Sequence, residues 1–244
     1  MLKVPKLASD KVVVRLTTDP EEIHAANELV CGNYINEGYW DTKEPFLNNP
    51  HMYSPMRTVF VAEQDGRILG TASIVQDSER GLPADKFQPQ IMRQLRTGQR
   101  NIAEVSALAV DKDYGDRAAL VLYLFKYVYQ YSFYYAGIDY FVVVPTVRHA
   151  PFYQRICGFE PLSSGGQYSY VKSNVRAQLL GADLLQLHKY FYDRYDDGAG
   201  GDNFYRFLLV DGHSSLRFPD VPPLRPRHAD WVRLASEVRR SRAA

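Results

Sequence analysis

The chain reads as an α/β (α+β) protein, with a central mixed, mostly antiparallel sheet flanked by helices and a C-terminal helical extension. Three stretches predict this. Thr58 to Glu63 and Ile68 to Val75 are apolar runs joined by Gln64-Asp65-Gly66-Arg67. Asp-Gly supplies the positive φ of a tight hairpin, so this pair is antiparallel. Asn101 to Arg117 (NIAEVSALAVDKDYGDR) reads as strand, polar turn and helix start, and Ile138 to Val144 (IDYFVVV) as a strand buried on both faces. Strands joined through a helix should lie parallel, with a right-handed crossover.

In chain order, Lys11 to Leu16 is the first predicted strand. Thr18-Asp19-Pro20-Glu21-Glu22 starts a helix, with a capping residue, a first-turn proline and acids near the positive end of the dipole. It should run through Ile23, Ala26, Leu29 and Val30 to about Tyr34. Asn36 to Arg57 sustains no periodicity, and loops of that length are functional covers or disordered. Its Tyr39, Trp40, Phe46 and Tyr53 favour a packed cover. Asp77 to Gly98 carries Gly81, Pro83 and Pro89 before a short amphipathic piece, Gln90 to Leu95. Arg117 to Ala136 is helical in length and spacing, and Gly137 stops it. His149 to Cys157 is a short helix, and a last strand falls near Tyr168 to Val171. Ala177 to Tyr195 is a predicted helix, with Leu180, Leu184, Leu187, Tyr190 and Phe191 along one side. The final helix spans Ala229 to Arg240, after a Pro-rich stretch. The expected division is a main domain over 1–173 and an extension over 174–244.

At 244 residues and 45% hydrophobic content, the chain can bury a core without disulfides or metal. A net charge of +1 gives no reason to expect nucleic acid. Cys31 and Cys157 are far apart and lack metal-ligand spacing, so reduced, partly buried thiols are expected. The amino terminus lacks a signal-length apolar core, and no run is long enough to span a bilayer. The expected location is the cytoplasm, with peripheral membrane contact only through a lipid product. A strand that stops at a turn opening a helix presents unpaired N–H groups and a positive dipole end, which suits an anionic or carbonyl-bearing ligand.

The hairpin, the central strand with its polar turn and helix, and the late FYQRICGFEPL segment resemble the Gcn5-related N-acetyltransferase (GNAT) superfamily. Four segments resemble a narrower branch, the bacterial N-acyl amino acid synthases related to acyl-homoserine-lactone autoinducer synthases. They are Asn36-Glu37-Gly38-Tyr39, GTASIVQDSERGLPADKF (Gly70 to Phe87), AEVSALAV (Ala103 to Val110) and RHAPFYQRICGFEPL (Arg148 to Leu162). The resemblance extends from Val13 to Val171. It implies an N-acyltransferase that moves an acyl group from a pantetheine thioester to an amine, the acceptor being a small-molecule amino acid. No tightly bound cofactor or metal is implied; the donor is acyl-4'-phosphopantetheine on acyl carrier protein, or acyl-CoA. Two strands would splay so that the pantetheine arm pairs with backbone at Leu108, Ala109 and Val110, as in strand augmentation. One N–H there would face the developing oxyanion, and proximity would do much of the rest.

The superfamily's diphosphate loop reads Gln or Arg, two residues, Gly, one residue, then Gly or Ala. Lys112-Asp113-Tyr114-Gly115-Asp116-Arg117 keeps Gly115, puts Arg117 at the second small position and adds two acids. Carboxylates beside a diphosphate are unfavourable, so the resemblance favours a carrier protein, with a single phosphate, over free coenzyme A. Glu104, a carboxylate in an apolar strand, needs a partner such as Arg96 or Arg100, or else a raised pKa. Either suits it to take a proton from an ammonium acceptor. Ser106 shares its face and is a candidate to bond the acceptor. Related autoinducer synthases have arginine directly after this serine; here it is Ala107. Tyr153 is the candidate to protonate the leaving thiolate. It lies five residues before Gly158 rather than the usual four, a shift of about 100° around a helix, and Gln154 holds the usual phase. The competing reading is a core ring. His149 reads as a cap or surface residue.

Tyr39, Trp40 and Phe152 are assigned to the acceptor and acyl pocket. The aromatic run Tyr123, Phe125, Tyr127, Tyr129, Tyr131, Phe133, Tyr134 and Tyr135 reads as core, with a long acyl pocket as the alternative. Arg225, Arg227, Arg233, Arg239 and Arg240 are the candidate docking patch for an acidic carrier protein. The activity expected is an N-acyl amino acid synthase using a long-chain donor. The alternatives are a CoA-dependent acetyltransferase, an autoinducer synthase using S-adenosylmethionine, and a catalytically silent acyl- or carrier-binding module.

Overall fold

The computed structural model describes residues 3–167, 175–196 and 203–211. Strand β1 (Val13–Thr17) leads into α1 (Pro20–Asn36), whose first turn is capped by the Asp19 carboxylate accepting from the Glu21 N–H at 2.8 Å. The long connection that follows holds two short helices, α2 (Glu44–Leu47) and a 3-10 turn (Pro50–Tyr53). Trp40, Phe46 and Met52 are buried beneath it, as expected of a packed cover, whereas Tyr53 stands outside, 61% exposed. β2 (Arg57–Gln64) and β3 (Arg67–Gln76) form the expected hairpin, with Asp65 at φ 51° and Gly66 at φ 80°. After a 3-10 turn (Pro83–Lys86) and α3 (Pro89–Arg96) come β4 (Ile102–Val110) and α4 (Arg117–Gln130). A π-helical turn (Tyr131–Tyr135) extends α4, and Gly137, at φ 65°, ends it. β5 (Tyr140–Val143) returns parallel to β4, and α5 (Ala150–Arg155) follows.

The chain closes with β6 (Glu160–Pro161), β7 (Gly166–Gln167), β8 (Arg176–Ala177), β9 (Leu180–Asp183), α6 (Leu184–Tyr195) and a second π-helical turn (Arg206–Val210). The main sheet has the order β1-β2-β3-β4-β5-β9-β6, antiparallel except at β4–β5. The helix expected over Ala177 to Tyr195 is therefore corrected: its first part is strand. Asp183 accepts from the N–H groups of Leu185 and Gln186 at 3.0 and 3.1 Å and starts the helix there. Gly181 fits against Tyr140, where a Cβ would lie 2.6 Å from the tyrosine hydroxyl. The strand expected near Tyr168 to Val171, the boundary at 173/174 and the helix at 229–240 lie outside the described residues.

Alternation along β2 separates the two layers. Val59 and Val61 pack with Ala26 of α1, and Phe60 and Ala62 belong to the main core under α4. α4 is buried almost all round, covered on its far side by the second π turn: Gln130 donates to the Leu208 carbonyl at 2.7 Å. Tyr129 donates to the Leu184 carbonyl at 3.0 Å. The aromatic run is thus core, with Tyr131 and Tyr135 half-buried at its end, and the hydroxyls of Tyr123 and Tyr134 also reach backbone carbonyls, those of Pro5 and Leu209, at 3.5 Å. Among the described residues no helix is long and apolar enough to cross a membrane.

Candidate active site

The site is set by an irregularity in β4. Ser106 pairs with Ser73 and Ala109 with Thr71, so two residues of β4, Ala107 and Leu108, oppose Ala72 alone. This is a β-bulge, and Ala107 takes the left-handed φ of 51° within it. One extra residue reverses the facing of all that follows. Ala103 and Val105 lie in the α4-side core, whereas beyond the bulge it is Ala107 and Ala109 that join Trp40 and Phe46 under α1, with Val110 returned to the α4 side. Glu104, Ser106, Ala107 and Ala109 consequently share one wall.

On its other edge β4 pairs with β5 only through Ile102, Ala103 and Glu104, partnered by Tyr140, Phe141 and Val142. Beyond Glu104 the strands part, and residues 105–110 have no ladder partner on that side among the described residues. Asp111 donates its N–H to the Leu69 carbonyl at 2.8 Å, so Ala109, two residues earlier and paired with Thr71, turns its backbone toward β3; Leu108 and Val110 alternate toward the open edge, where the Val110 carbonyl accepts from Asn33 Nδ2 at 2.9 Å.

A cavity of about 70 Å³ opens where the strands part, walled by Tyr34, Trp40, Phe46, Met52, Glu104 and Ser106. Glu104 is 3% exposed. Neither arginine expected as a partner reaches it: Arg96 pairs with Asp77 and Asp85, and Arg100 approaches Asp183 at 3.8 Å. Its carboxylate accepts the Ala84 N–H at 2.7 Å. Burial pushes its pKa up to about 8; the Ala84 bond opposes this, and the charge of Asp85 adds to it. Ser106 Oγ is buried without a hydrogen-bond partner among the described residues. The raised carboxyl and the unsatisfied hydroxyl thus line one cavity.

Of the other expected residues, Trp40 lines this cavity, while Tyr39, Phe152 and Tyr153 do not. Tyr39 packs edge-on to Tyr34, ring centres 5.5 Å apart. Tyr153 is a core ring, crossing Phe152 at 5.2 Å and Phe159 at 5.7 Å. Burial raises its phenol, with smaller contributions from Cys157 and from the Tyr34 phenol. Tyr34 itself is not singled out by sequence; its phenol is pushed up to about 12 by burial, then by Tyr39 and Glu104. The one available signal is the aromatic pair Tyr34 and Trp40 bracketing Asn36-Glu37-Gly38-Tyr39. His149 is exposed, with Nδ1 at 3.1 Å from Thr146 Oγ1.

Gly115 and Arg117 lie exposed in the turn after β4, and a Cβ at Gly115 would meet nothing within 4 Å. The N-terminus of α4 carries its own anion: Asp116 accepts from the Ala119 N–H at 2.9 Å. Asp111 pairs with Arg67 and accepts the Asp113 N–H. The arginines at 225, 227, 233, 239 and 240 lie outside the described residues.

The comparisons agree with this architecture. A family model described as N-acyl amino acid synthase FeeM matches residues 25–183. The structure of FeeM, an N-acyl amino acid synthase from uncultured soil microbes, is similar at a TM-score of 0.64 and 26% identity, over 73% of this chain and 93% of that one. BjaI, a CoA-dependent acyl-homoserine lactone synthase, has a TM-score of 0.51 and 16% identity, covering 75% and 89%. An agmatine N-acetyltransferase has 0.52 and 18%, covering 71% and 100%. These last two share the fold. A search of curated proteins by sequence finds no match.

Proposed function

The chain belongs to the FeeM family of N-acyl amino acid synthases and is an N-acyltransferase; on that premise we propose that it moves a long-chain acyl group from acyl carrier protein to the α-amine of an amino acid. The observation that carries the assignment of roles is that buried Glu104 and unsatisfied Ser106 Oγ line one cavity where β4 and β5 part. The pantetheine arm lies along the open edge of β4, bonding to the backbone of Leu108 and to the Val110 N–H, and a bulge N–H faces the thioester oxygen. The acceptor occupies the cavity between Trp40 and Ser106. Its ammonium gives one proton to the Glu104 carboxylate. The neutral nitrogen then attacks the thioester carbon, the C–N bond forms, and the C–S bond breaks. A second proton leaves nitrogen as the amide forms, and the departing thiolate is protonated.

We assign the hydrogen bond to that thiolate to Tyr34, which lines the cavity, rather than to Tyr153, which does not. A phenol held near 12 stays protonated through the working range. The preference for a carrier protein is supported by the α4 entrance, where Asp116 occupies the helix N-terminus and Asp113 adds a second acid. The test is mass spectrometry of lipid extracts from expressing cells, together with turnover of purified protein on acyl carrier protein and CoA thioesters of one chain. N-acyl amino acids, and a clear preference for the carrier thioester, are expected. No N-acyl amino acid would refute the activity, and equal use of CoA would refute the donor.

A further inference from the structure

The charged cluster nearest Glu104 is absorbed by none of these roles. Arg96 of α3 makes two bidentate pairs. Its Nε and Nη2 donate to Asp77 at 2.6 and 2.9 Å, and its Nη1 and Nη2 donate to Asp85, both at 2.6 Å. Asp85 also accepts the Leu82 N–H at 2.7 Å, closing the turn whose next N–H, that of Ala84 after Pro83, is the donor to Glu104. Gly81 enters this turn at φ 69°, and a Cβ there would lie 2.6 Å from Asp85 Oδ2, so the turn is built around that carboxylate. Asp77 is tied to the same region of β4, its N–H donating to the Ile102 carbonyl at 2.9 Å.

We infer that Arg96 is a positioning residue for the acyl transfer: by holding Asp77 and Asp85 together it aims the Ala84 N–H at Glu104 and offsets the negative charge of Asp85 beside it. This rests on Glu104 being the base. The groups that bear on Glu104 are Asp85 from the turn and Tyr34 from α1. Arg96 and Asp77 stand one contact further out, as do His51 and Lys86, which interact with Asp85 or with each other. Arg96 lies partly open, and Asp85 is held below the usual carboxylate range, where its hydrogen bonds from Arg96 and Leu82 outweigh its burial. Asp85 is therefore charged whenever Glu104 titrates.

Opposite shifts follow from opposite charge changes. Arg96→Met leaves Asp85 uncompensated and loosens the turn, and both effects favour protonated Glu104. Asp85→Asn removes the negative neighbour and leaves Arg96 on Asp77, which favours ionised Glu104. The experiment is a carbon-13 carboxyl NMR titration of the folded protein, with Glu104→Gln identifying the resonance, run beside the pH profile of kcat/KM. Arg96→Met should move the Glu104 midpoint up by about one pH unit, a tenfold change in proton affinity. Its turnover should fall about tenfold near neutral pH and recover in alkali. Asp85→Asn should move the midpoint down, and Arg96→Lys should restore part of the wild-type value. A loss of turnover equal at every pH, or midpoints that stay put or move the same way, would overturn the inference. If Arg96→Met does not fold, the direction of the Asp85→Asn midpoint decides alone. A chain in which the midpoints shift as stated but no acyl transfer occurs would leave the positioning intact and remove the synthase reading.

Discussion

Glu104→Gln should make the protein more stable while abolishing its turnover. The buried carboxyl titrates near 8 rather than at its ordinary 4.5. The folded chain therefore binds this proton more tightly than the unfolded one, and the slope of stability with pH is negative between those values. Stability from this group is complete below about pH 4.5 and is lost as pH rises through 8. At pH 7 the part lost corresponds to two and a half pH units, on the order of 3 kcal/mol. The substituted carboxamide cannot titrate, has nearly the same shape as the carboxyl, and can still accept the Ala84 N–H through its oxygen. The variant should match wild type below about pH 4.5, exceed it by about 1 kcal/mol at pH 5 and by about 3 kcal/mol at pH 7, roughly 6–12 °C in melting midpoint for a chain of this size. Its product yield should fall by about 10²–10⁴-fold through loss of the base. The assay is urea unfolding of both proteins from pH 5 to 9, read as a difference so that other titrations cancel. Unfolding free energies that run parallel across that range would refute a buried, protonated Glu104.

Three further outcomes follow from the same geometry. Ser106→Ala should lower kcat/KM about tenfold, the worth of one hydrogen bond to the acceptor, and leave stability unchanged, since Oγ has no partner to lose; a stability loss as large as the activity loss would contradict this. Tyr34→Phe should reduce kcat more than Tyr153→Phe, because only Tyr34 lines the cavity; steady-state kinetics with the reverse order would return the thiolate contact to Tyr153. Asp183→Ala should cost about 1 kcal/mol of unfolding free energy through loss of the α6 cap, with kcat/KM unchanged.

The parts legible in sequence are those fixed by local chemistry. Asp65-Gly66 specifies its turn because both positions need positive φ, and Gly137 ends a helix for the same reason. The parallel β4–β5 pair follows from one intervening helix. The start of α6 is hidden for a physical reason. Leu180, Leu184, Leu187 and Phe191 keep helical spacing, but the first of them belongs to a strand, where Leu180 pairs with Val143. Spacing cannot distinguish a buried strand that runs directly into a helix from one longer helix, and only the Asp183 cap marks the join. The ionic partner of Glu104 misleads in the same manner. Arg96 and Arg100 are near in sequence, but two carboxylates, Asp77 and Asp85, claim Arg96 first.

The bulge in β4 explains why Glu104 is legible as a site residue while its surroundings are not. A carboxylate in an apolar strand is conspicuous, and simple alternation places Ser106 beside it. Alternation then assigns Leu108 and Val110 to the same wall, whereas the structure puts Ala107 and Ala109 there. Nothing in AEVSALAV marks the extra residue, because Ala107 adopts the left-handed backbone that glycine ordinarily marks. The strain is sustained by pairing on both sides of it, Ser106 with Ser73 and Ala109 with Thr71. Its consequence is small side chains, not leucine and valine, opposite Trp40 and Phe46, which leaves the cavity open beside the free edge of the strand. The same single residue therefore opens the cavity at the split between the strands, so that the groups proposed as base, acceptor pocket and thioester platform all fall within seven residues, 104 to 110.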